Sequence, residues 1–264
     1  MKTSQQEPYA EWGNAQYLDT VTRQPDVQAY KRHTFTLLGA QAGHHLLDVG
    51  CGTGEDVRAL ARLVGSSGRV VGLDIREGLI DEACKRTADT DLPIEYCIGD
   101  VYRLSFSDNT FDGCRADRVF QHLRHPDKAL KEMIRVVRPG SSVVVADPDW
   151  ETLVIDVSDR AVTRRILKFN CDTFAHGWIG RQLPGLFQQA GLREIITVPF
   201  TYMVTDFALA ECLFSLQHTA KKVQAAGLIT NSEAIAWLDD FTRAGRENHF
   251  FGALMLFIVG GRKP

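Results

Sequence analysis

The chain has 264 residues, of which 44% are apolar and 24% are charged, proportions that are typical of a folded globular protein. Thirty Lys and Arg against 33 Asp and Glu give a formal net charge of −3, which disfavours nucleic acid as a partner. The polar start, Met1 to Glu11, does not resemble a signal peptide, and no apolar run approaches the roughly 18 residues of a membrane span. We therefore expect a cytoplasmic protein without a membrane partner, and the composition leaves its oligomeric state open.

Short apolar runs alternate with helical patterns between residues 45 and 147. This alternation is typical of βαβ units that build a parallel sheet, and each run is apolar enough to be buried on both faces. The predicted strands are 45–49, 69–74, 94–99, 111–116 and 142–147. Apolar residues three and four apart predict helices over 57–64 and 130–137, the second of which stops at Pro139-Gly140.

The regions on either side lack this alternation. Ahead of it lies an aromatic-rich segment with Tyr9, Trp12, Tyr17 and Tyr30, predicted to be helical over 26–38, that could close over a ligand. The pattern after residue 147 predicts helices over 159–176, 181–190 and 207–226 and strands over 193–200 and 252–259. A further helix is predicted to begin at Thr230, which with Glu233 forms a capping box.

The chain has neither an internal repeat nor a linker that would mark a second domain. We expect a helical cap segment over 1–44 and one domain over 45–264, with helical insertions at about 148–190 and 206–248. The six cysteines are scattered without a C-x-x-C pair, which predicts reduced thiols and no metal site.

A glycine-rich turn joins the first predicted strand to the first helix, Asp48-Val49-Gly50-Cys51-Gly52-Thr53-Gly54. Glycines there let a ligand approach the backbone closely. A dinucleotide-binding turn has the spacing G-x-G-x-x-G, with phosphates at the helix N-terminus. Here the spacing is G-x-G-x-G, and the carboxylates of Glu55 and Asp56 follow, which argues against NAD. S-adenosylmethionine fits, because it has no phosphates and an acidic rim such as Asp48 attracts its sulfonium and ammonium charges.

This turn resembles motif I of the class I S-adenosylmethionine-dependent methyltransferases, and later segments are similar to that family in the same order. Residues 106–112 resemble the P-F-x-D-x-x-F-D stretch of the ubiquinone/menaquinone C-methyltransferase-like (methyltransferase type 11) group, with Ser105 where proline is usual. Residues 130–140 resemble its L-x-E-x-x-R-V-L-K-P-G helix and turn. The resemblance covers residues 45–147. It implies an α/β, Rossmann-like, doubly wound seven-stranded sheet, mostly parallel with an antiparallel last strand, with the inserted helices as a lid.

The same resemblance implies which residues hold the cofactor. Asp74, at the end of the second predicted strand, would accept hydrogen bonds from the ribose hydroxyls. Asp100 and Val101, after the third strand, would contact the adenine amine and ring. The end of the fourth strand would meet the methionine part. The implied set is Asp48, Gly50, Cys51, Gly52, Thr53, Gly54, Asp74, Ile75, Asp100, Val101, Asp117 and Arg118.

Methyl transfer from a sulfonium is an in-line displacement, so the protein mainly aligns the reacting atoms and excludes water. His122 is the candidate general base, because imidazole titrates near neutral pH; a histidine with structural hydrogen bonds at a helix start is the alternative. Arg118 either steers a substrate carboxylate or pairs with Asp117. The candidate substrate-pocket residues are Tyr17, Trp150, His176 and Trp178.

These observations predict an enzyme that methylates oxygen, nitrogen or carbon of a small-molecule acceptor. The alternative is a regulator, or an inactive homologue, that binds S-adenosylmethionine without turnover. An NAD-dependent oxidoreductase is disfavoured by Glu55 in the third glycine position. Residues 147–150 superficially resemble the D-P-P-Y/W motif of methyltransferases that act on flipped bases. We reject that interpretation because Asp149 replaces the second proline and the segment follows the fifth strand.

Overall fold

The computed structural model describes residues 14–264, so Tyr9 and Trp12 lie outside the described residues. Its strands are β1 (His45–Val49), β2 (Arg69–Asp74), β3 (Ile94–Ile98), β4 (Phe111–Asp117), β5 (Val137–Ile155), β6 (Arg193–Val204) and β7 (Gly252–Arg262). They form one seven-stranded sheet in the order β3-β2-β1-β4-β5-β7-β6. β7 pairs antiparallel with both of its neighbours, and the other pairs are parallel. The predicted sheet, mostly parallel with an antiparallel last strand, is confirmed.

The sheet is covered by helices on both faces. Between residues 14 and 264 the helices are α1 (Ala15–Thr22), α2 (Pro25–Leu38), α3 (Glu55–Val64), α4 (Glu77–Thr87), α5 (Pro126–Val136), α6 (Arg160–Asp172), α7 (Ile179–Gln189), α8 (Phe207–Phe214), α9 (Leu216–Ala225) and α10 (Asn231–Arg246), with a 3₁₀ turn at Phe120–His122. Leu46 and Val144 belong to the apolar layer under α2 and α3, whereas Leu47 and Val145 belong to the layer under α5 and α7. Successive strand residues are apolar because each face has its own core.

The strand order places a crevice at one edge of the sheet. The chain runs from β1 outward through β2 to β3 and then returns to β4, which pairs with the other side of β1. Open α/β sheets bind ligands at the carboxyl ends of their strands where the order reverses in this way. The ends of β1 and β4 therefore mark the expected site.

The apolar run at 142–147 predicted a short strand, but β5 extends beyond it at both ends, from Val137 to Ile155. Phe111 pairs with Val137 at one end, and Gly252 pairs with Ile155 at the other. Residues 148–155, predicted as the start of a helical insertion, are therefore strand. The partners that extend β5 come from distant parts of the chain, so its own sequence carries no signal for them.

Two predicted helices also differ from the structure. The helix predicted over 207–226 is broken at Ser215, which has φ 47° and ends α8 before α9 begins. The break allows both Phe214 and Leu216 to be fully buried. The helix predicted over 159–176 ends at Asp172, after which the chain folds back so closely that a Cβ on Gly177 would collide with the Cys171 carbonyl oxygen. The capping box of Thr230 and Glu233 is confirmed, with N–O distances of 3.1 and 2.7 Å.

A helical layer of α6, α8, α9 and α10 packs beside the extended strands. Its aromatic residues continue the apolar core that contains Leu46 and Val144, and among them Trp237 stacks on Phe241 with ring centroids 5.1 Å apart. The indole Nε1 of Trp237 donates to Thr163 Oγ1 at 2.9 Å, so its polar atom is also satisfied. None of the helices in the described part of the chain is both long and apolar enough to span a membrane.

Candidate active site

A cavity of about 990 Å³ opens at the carboxyl ends of β1, β2 and β4. Sites that enclose a drug-sized molecule have volumes of roughly 300–1,000 Å³, so this cavity lies at the upper end of that range. The glycine turn and the ends of β2, β3 and β4 line one side. The cap helices α1 and α2, the ends of β5 and β6, and α8 line the other.

The glycine turn has a backbone that other residues would strain. Gly50, Gly52 and Gly54 have φ of 70°, 55° and 74°, in the left-handed region that favours glycine. A Cβ on Gly50 would collide with Val119, and one on Gly54 would collide with the Tyr96 hydroxyl. Gly50 and Gly52 line the cavity, whereas Gly54 is the N-cap of α3 and does not.

Acidic residues at the strand ends hold the loops around the cavity. Asp74 Oδ2 accepts from Gly52 N at 3.0 Å, and its Oδ1 accepts from Arg76 N at 2.9 Å. Asp100 Oδ1 accepts from Tyr102 N at 2.9 Å. Asp74 thus ties the end of β2 to the glycine turn, and both carboxylates line the cavity.

A buried ionic cluster lies beneath the glycine turn and was missed by the sequence analysis. Arg115, within β4, donates from Nη1 to Asp48 Oδ1 and to Asp56 Oδ2, both at 2.9 Å. Lys31, on α2, donates to Asp56 Oδ2 at 2.8 Å and lies 3.5 Å from Asp117 Oδ2. Asp117 Oδ2 lies 3.3 Å from Arg115 Nη2. The one available signal was an arginine inside an apolar strand, because a charge buried there requires partners.

The cluster makes this side of the cavity acidic. Its two cations and three carboxylates carry one net negative charge when all are ionised. Burial opposes ionisation of Asp56, but the charges of Lys31 and Arg115 lower the pKa of this carboxyl. Burial raises the pKa of Asp48 against the attraction of Arg115. A cationic ligand group in the cavity would therefore stabilise the ionised form of Asp48.

The opposite side of the cavity is aromatic. Trp150 stacks on Phe174 with ring centroids 4.7 Å apart, and its Nε1 donates to Gln121 Oε1 at 2.6 Å. Tyr30 donates from its hydroxyl to Asp117 Oδ1 at 3.1 Å, and its ring lies 5.6 Å from that of Phe200. Tyr17, predicted from the sequence along with Trp150, also lines the cavity.

His122 lines the cavity from the 3₁₀ turn. The buried Asp147 carboxylate holds this turn by accepting from the amides of Phe120 and Gln121, at 2.9 and 3.1 Å. Burial, and then the positive charges of Arg118 and Arg76, lower the pKa of His122 to about 4. The imidazole is therefore neutral and only weakly basic at neutral pH, which differs from the expectation of a base that titrates near pH 7.

Two predicted substrate-pocket residues do not reach the cavity. Trp178 is 47% exposed at the start of α7, and His176 is held through its backbone N, which donates to Gln121 O at 3.0 Å. Phe174 occupies the position against Trp150 instead. Apart from these two and Gly54, every predicted site residue lines the cavity. Within residues 14–264, no group of three or more His, Cys, Asp or Glu is arranged to hold a metal ion.

Comparison with known proteins gives a consistent set of similarities. The family model of the methyltransferase domain matches residues 40–191. An uncharacterised 37.1 kDa protein of transposon TN4556 from Streptomyces fradiae is 36% identical over 92% of this chain and 69% of its own. The demethylmenaquinone methyltransferase of Bacillus cereus is 30% identical over 69% of this chain and 84% of its own.

The fold is also found in solved structures. The [4+2]-cyclase SpnF superposes with a TM-score of 0.56 and 23% identity, over 92% of this chain and 83% of its own. That similarity concerns the fold alone.

Proposed function

Because this chain belongs to the class I S-adenosylmethionine-dependent methyltransferases, we propose that it methylates a small-molecule acceptor held in the cavity. Its cofactor, S-adenosylmethionine, supplies a methyl group activated on a cationic sulfonium. The chain's own contribution is to bind both partners, align the reacting atoms and exclude water.

The residues around the glycine turn fit this cofactor. Gly50 and Gly52 line the cavity, and the carboxylates of the ionic cluster suit a ligand with a sulfonium and an ammonium. We propose that Asp74 binds the ribose hydroxyls and that Asp100 and Val101 contact adenine. The remaining residues of the turn and Ile75 would complete the cofactor surface.

The position of α1 supports a role in closing the site. A Cβ on Gly52 would lie 3.0 Å from Leu18 Cδ1, so α1 lies directly over the glycine turn. We propose that the cap segment over 1–44 and the inserted helices act together as the lid; residues 1–13 of that segment lie outside the described part. Hydrogen exchange should show protection growing in α1 when S-adenosylhomocysteine is added, while β1 and β4 stay slow throughout. Equal protection of α1 with and without the ligand would refute a closing role.

The single observation that carries the proposal is the glycine turn followed by the carboxylates of Glu55 and Asp56. In a dinucleotide-binding site, this position at the helix N-terminus holds phosphate. Calorimetry should therefore show far tighter binding of S-adenosylmethionine and S-adenosylhomocysteine than of NAD or ATP. Turnover of methyl-labelled cofactor against a panel of quinols, phenols, amines and carboxylates then tests methyl transfer. Tighter binding of NAD than of S-adenosylhomocysteine would reject the site assignment.

The second candidate function is binding of the cofactor without methyl transfer. A [4+2]-cyclase shares this fold, so the architecture by itself does not require methyl transfer. A chain that binds S-adenosylhomocysteine tightly but transfers no methyl group to any member of the panel would be a cofactor-binding protein without this turnover.

A further inference from the structure

Arg118 enters the cavity because of an unusual backbone. It follows β4 directly and has φ 56°, a left-handed conformation that is strained for a residue other than glycine. Its backbone N donates to Ala146 O at 2.7 Å, which holds the turn in place. The side chain lines the cavity and is only 19% exposed.

The Nε of Arg118 is not hydrogen-bonded to its neighbour. This Nε is buried and has no hydrogen-bond partner among residues 14–264. The carboxylate of Asp117 lies 4.0 Å from this Nε, but it already accepts from Tyr30 and faces Arg115 and Lys31. Burial would lower the pKa of Arg118, but Tyr30 and Asp117 raise it, so the group stays cationic.

A second polar atom in the same cavity is also unsatisfied. The hydroxyl of Tyr202 is buried, and no described residue forms a hydrogen bond with it. Burial raises the pKa of this phenol, so it remains a donor, and Arg118 is near enough for its charge to act on it. Buried polar atoms without partners are rare in folded proteins, and two donors of this kind in one cavity indicate a site that binds an acceptor of hydrogen bonds.

The rest of the cavity wall near Arg118 and Tyr202 is apolar, which favours a hydrophobic ligand. Phe174, Phe200, Leu213 and Leu254 line this side together with Trp150, whose ring is stacked on Phe174. Such a wall favours a planar hydrophobic molecule, whereas the positive charge of Arg118 disfavours an ammonium group.

We propose that Arg118 and Tyr202 form a subsite for an anionic oxygen of the methyl acceptor. This inference rests on the proposed function and deepens it. The acceptor is a planar, largely apolar molecule that carries a phenolate, enolate or carboxylate oxygen. Arg118 favours the ionised form of that oxygen, which suits a cavity in which His122 is only a weak base.

The carboxylate of the cofactor is the competing occupant. The phenols that Arg118 influences belong to Tyr17, Tyr30 and Tyr202, on α1, α2 and β6. The glycine turn is instead approached by the next residue, Val119, which contacts Gly50. Arg118 therefore faces the aromatic side, and we assign it to the acceptor rather than to the cofactor site predicted from the sequence.

Matched probes test the assignment on the full chain saturated with S-adenosylhomocysteine. Calorimetry should show that 2-naphthoate binds at least about tenfold more tightly than 2-naphthylmethylammonium, which has the same ring system and the opposite charge. Arg118→Met should remove that preference, and Tyr202→Phe should weaken naphthoate binding severalfold. Arg124→Met removes an exposed arginine at the rim and should leave the preference in place.

Equal binding of the two probes to the wild type, or a preference that survives Arg118→Met, would overturn the subsite. A different result would be that Arg118→Met binds S-adenosylhomocysteine at least about tenfold more weakly while naphthoate binding is unchanged. That result would assign Arg118 to the cofactor site. If Arg118→Met does not fold, Arg118→Lys and Tyr202→Phe test the subsite instead. Lysine retains the positive charge but lacks the planar guanidinium, so Arg118→Lys should keep only part of the preference for naphthoate. Failure of the wild type to bind S-adenosylhomocysteine would instead reject the proposed function.

Discussion

Replacing Asp74 with alanine should weaken binding of S-adenosylhomocysteine by about 10- to 150-fold. A carboxylate offers about four acceptor positions, and the backbone amides of Gly52 and Arg76 use two of them. The others are free to accept from the ribose hydroxyls. Hydrogen bonds to a charged acceptor contribute about 1.5–3 kcal/mol, which corresponds to that loss of affinity.

The same substitution also removes the two amide hydrogen bonds, so stability must be measured separately from binding. Asp112 is a matched control, because its Oδ2 accepts from His45 N at 2.8 Å at the opposite end of the sheet. We expect urea unfolding to show that both Asp74→Ala and Asp112→Ala destabilise the protein by about 1–3 kcal/mol. Only Asp74→Ala should change the calorimetric affinity. Folded Asp74→Ala with wild-type affinity would mean that the ribose lies elsewhere, and an equal loss in Asp112→Ala would mean that the effect is merely structural.

Three further predictions follow from charges in and around the site. Arg115→Met should destabilise the protein by about 3–5 kcal/mol in urea, because it leaves buried carboxylates without their partner. Arg69→Met, which breaks a half-exposed pair, should cost less than about 1 kcal/mol; similar losses in the two variants would contradict the ionic cluster. Because the pKa of His122 is about 4 when folded and about 6.5 when unfolded, its contribution to stability is complete above pH 6.5 and is lost as the pH falls toward 4. In His122→Gln, the free energy of unfolding should fall by up to about 3 kcal/mol less between pH 6.5 and pH 4 than in the wild type. The same pH dependence in both proteins would show that the histidine is solvated. Arg86→Met removes a bidentate pair between α4 and Asp19 of α1, with N–O distances of 2.6 and 3.0 Å, and should speed dissociation of S-adenosylhomocysteine severalfold in stopped-flow measurements. A rate equal to that of Arg69→Met would show that α1 is held by packing alone.

The elements that carry the cofactor site were predictable because their signals are local. The strand at 45–49 is an apolar run, and the turn after it contains glycines that the backbone geometry requires. Asp74 is the last residue of the second predicted strand, and Asp100 directly follows the third. A parallel sheet brings such ends to the same edge, so order along the chain was sufficient to place both carboxylates at one cavity.

Other parts of the site depend on contacts that no local pattern contains. Lys31 and Arg115 are far apart in sequence, and they meet only because α2 packs against β4 above the buried Asp56. The weak basicity of His122 has the same origin, since burial and the charge of Arg118 arise from the folded surroundings.

The sequence by itself determined the class of fold, the glycine turn and the acidic strand ends, because periodicity and backbone requirements act over a few neighbouring residues. Tertiary structure alone decided that Phe174, rather than His176 or Trp178, meets Trp150. It also decided that Arg118 and Tyr202 face one cavity with unsatisfied polar atoms. The physical reason is that burial and pairing are properties of surfaces assembled from distant segments, and a side chain's partners are set only when those segments pack.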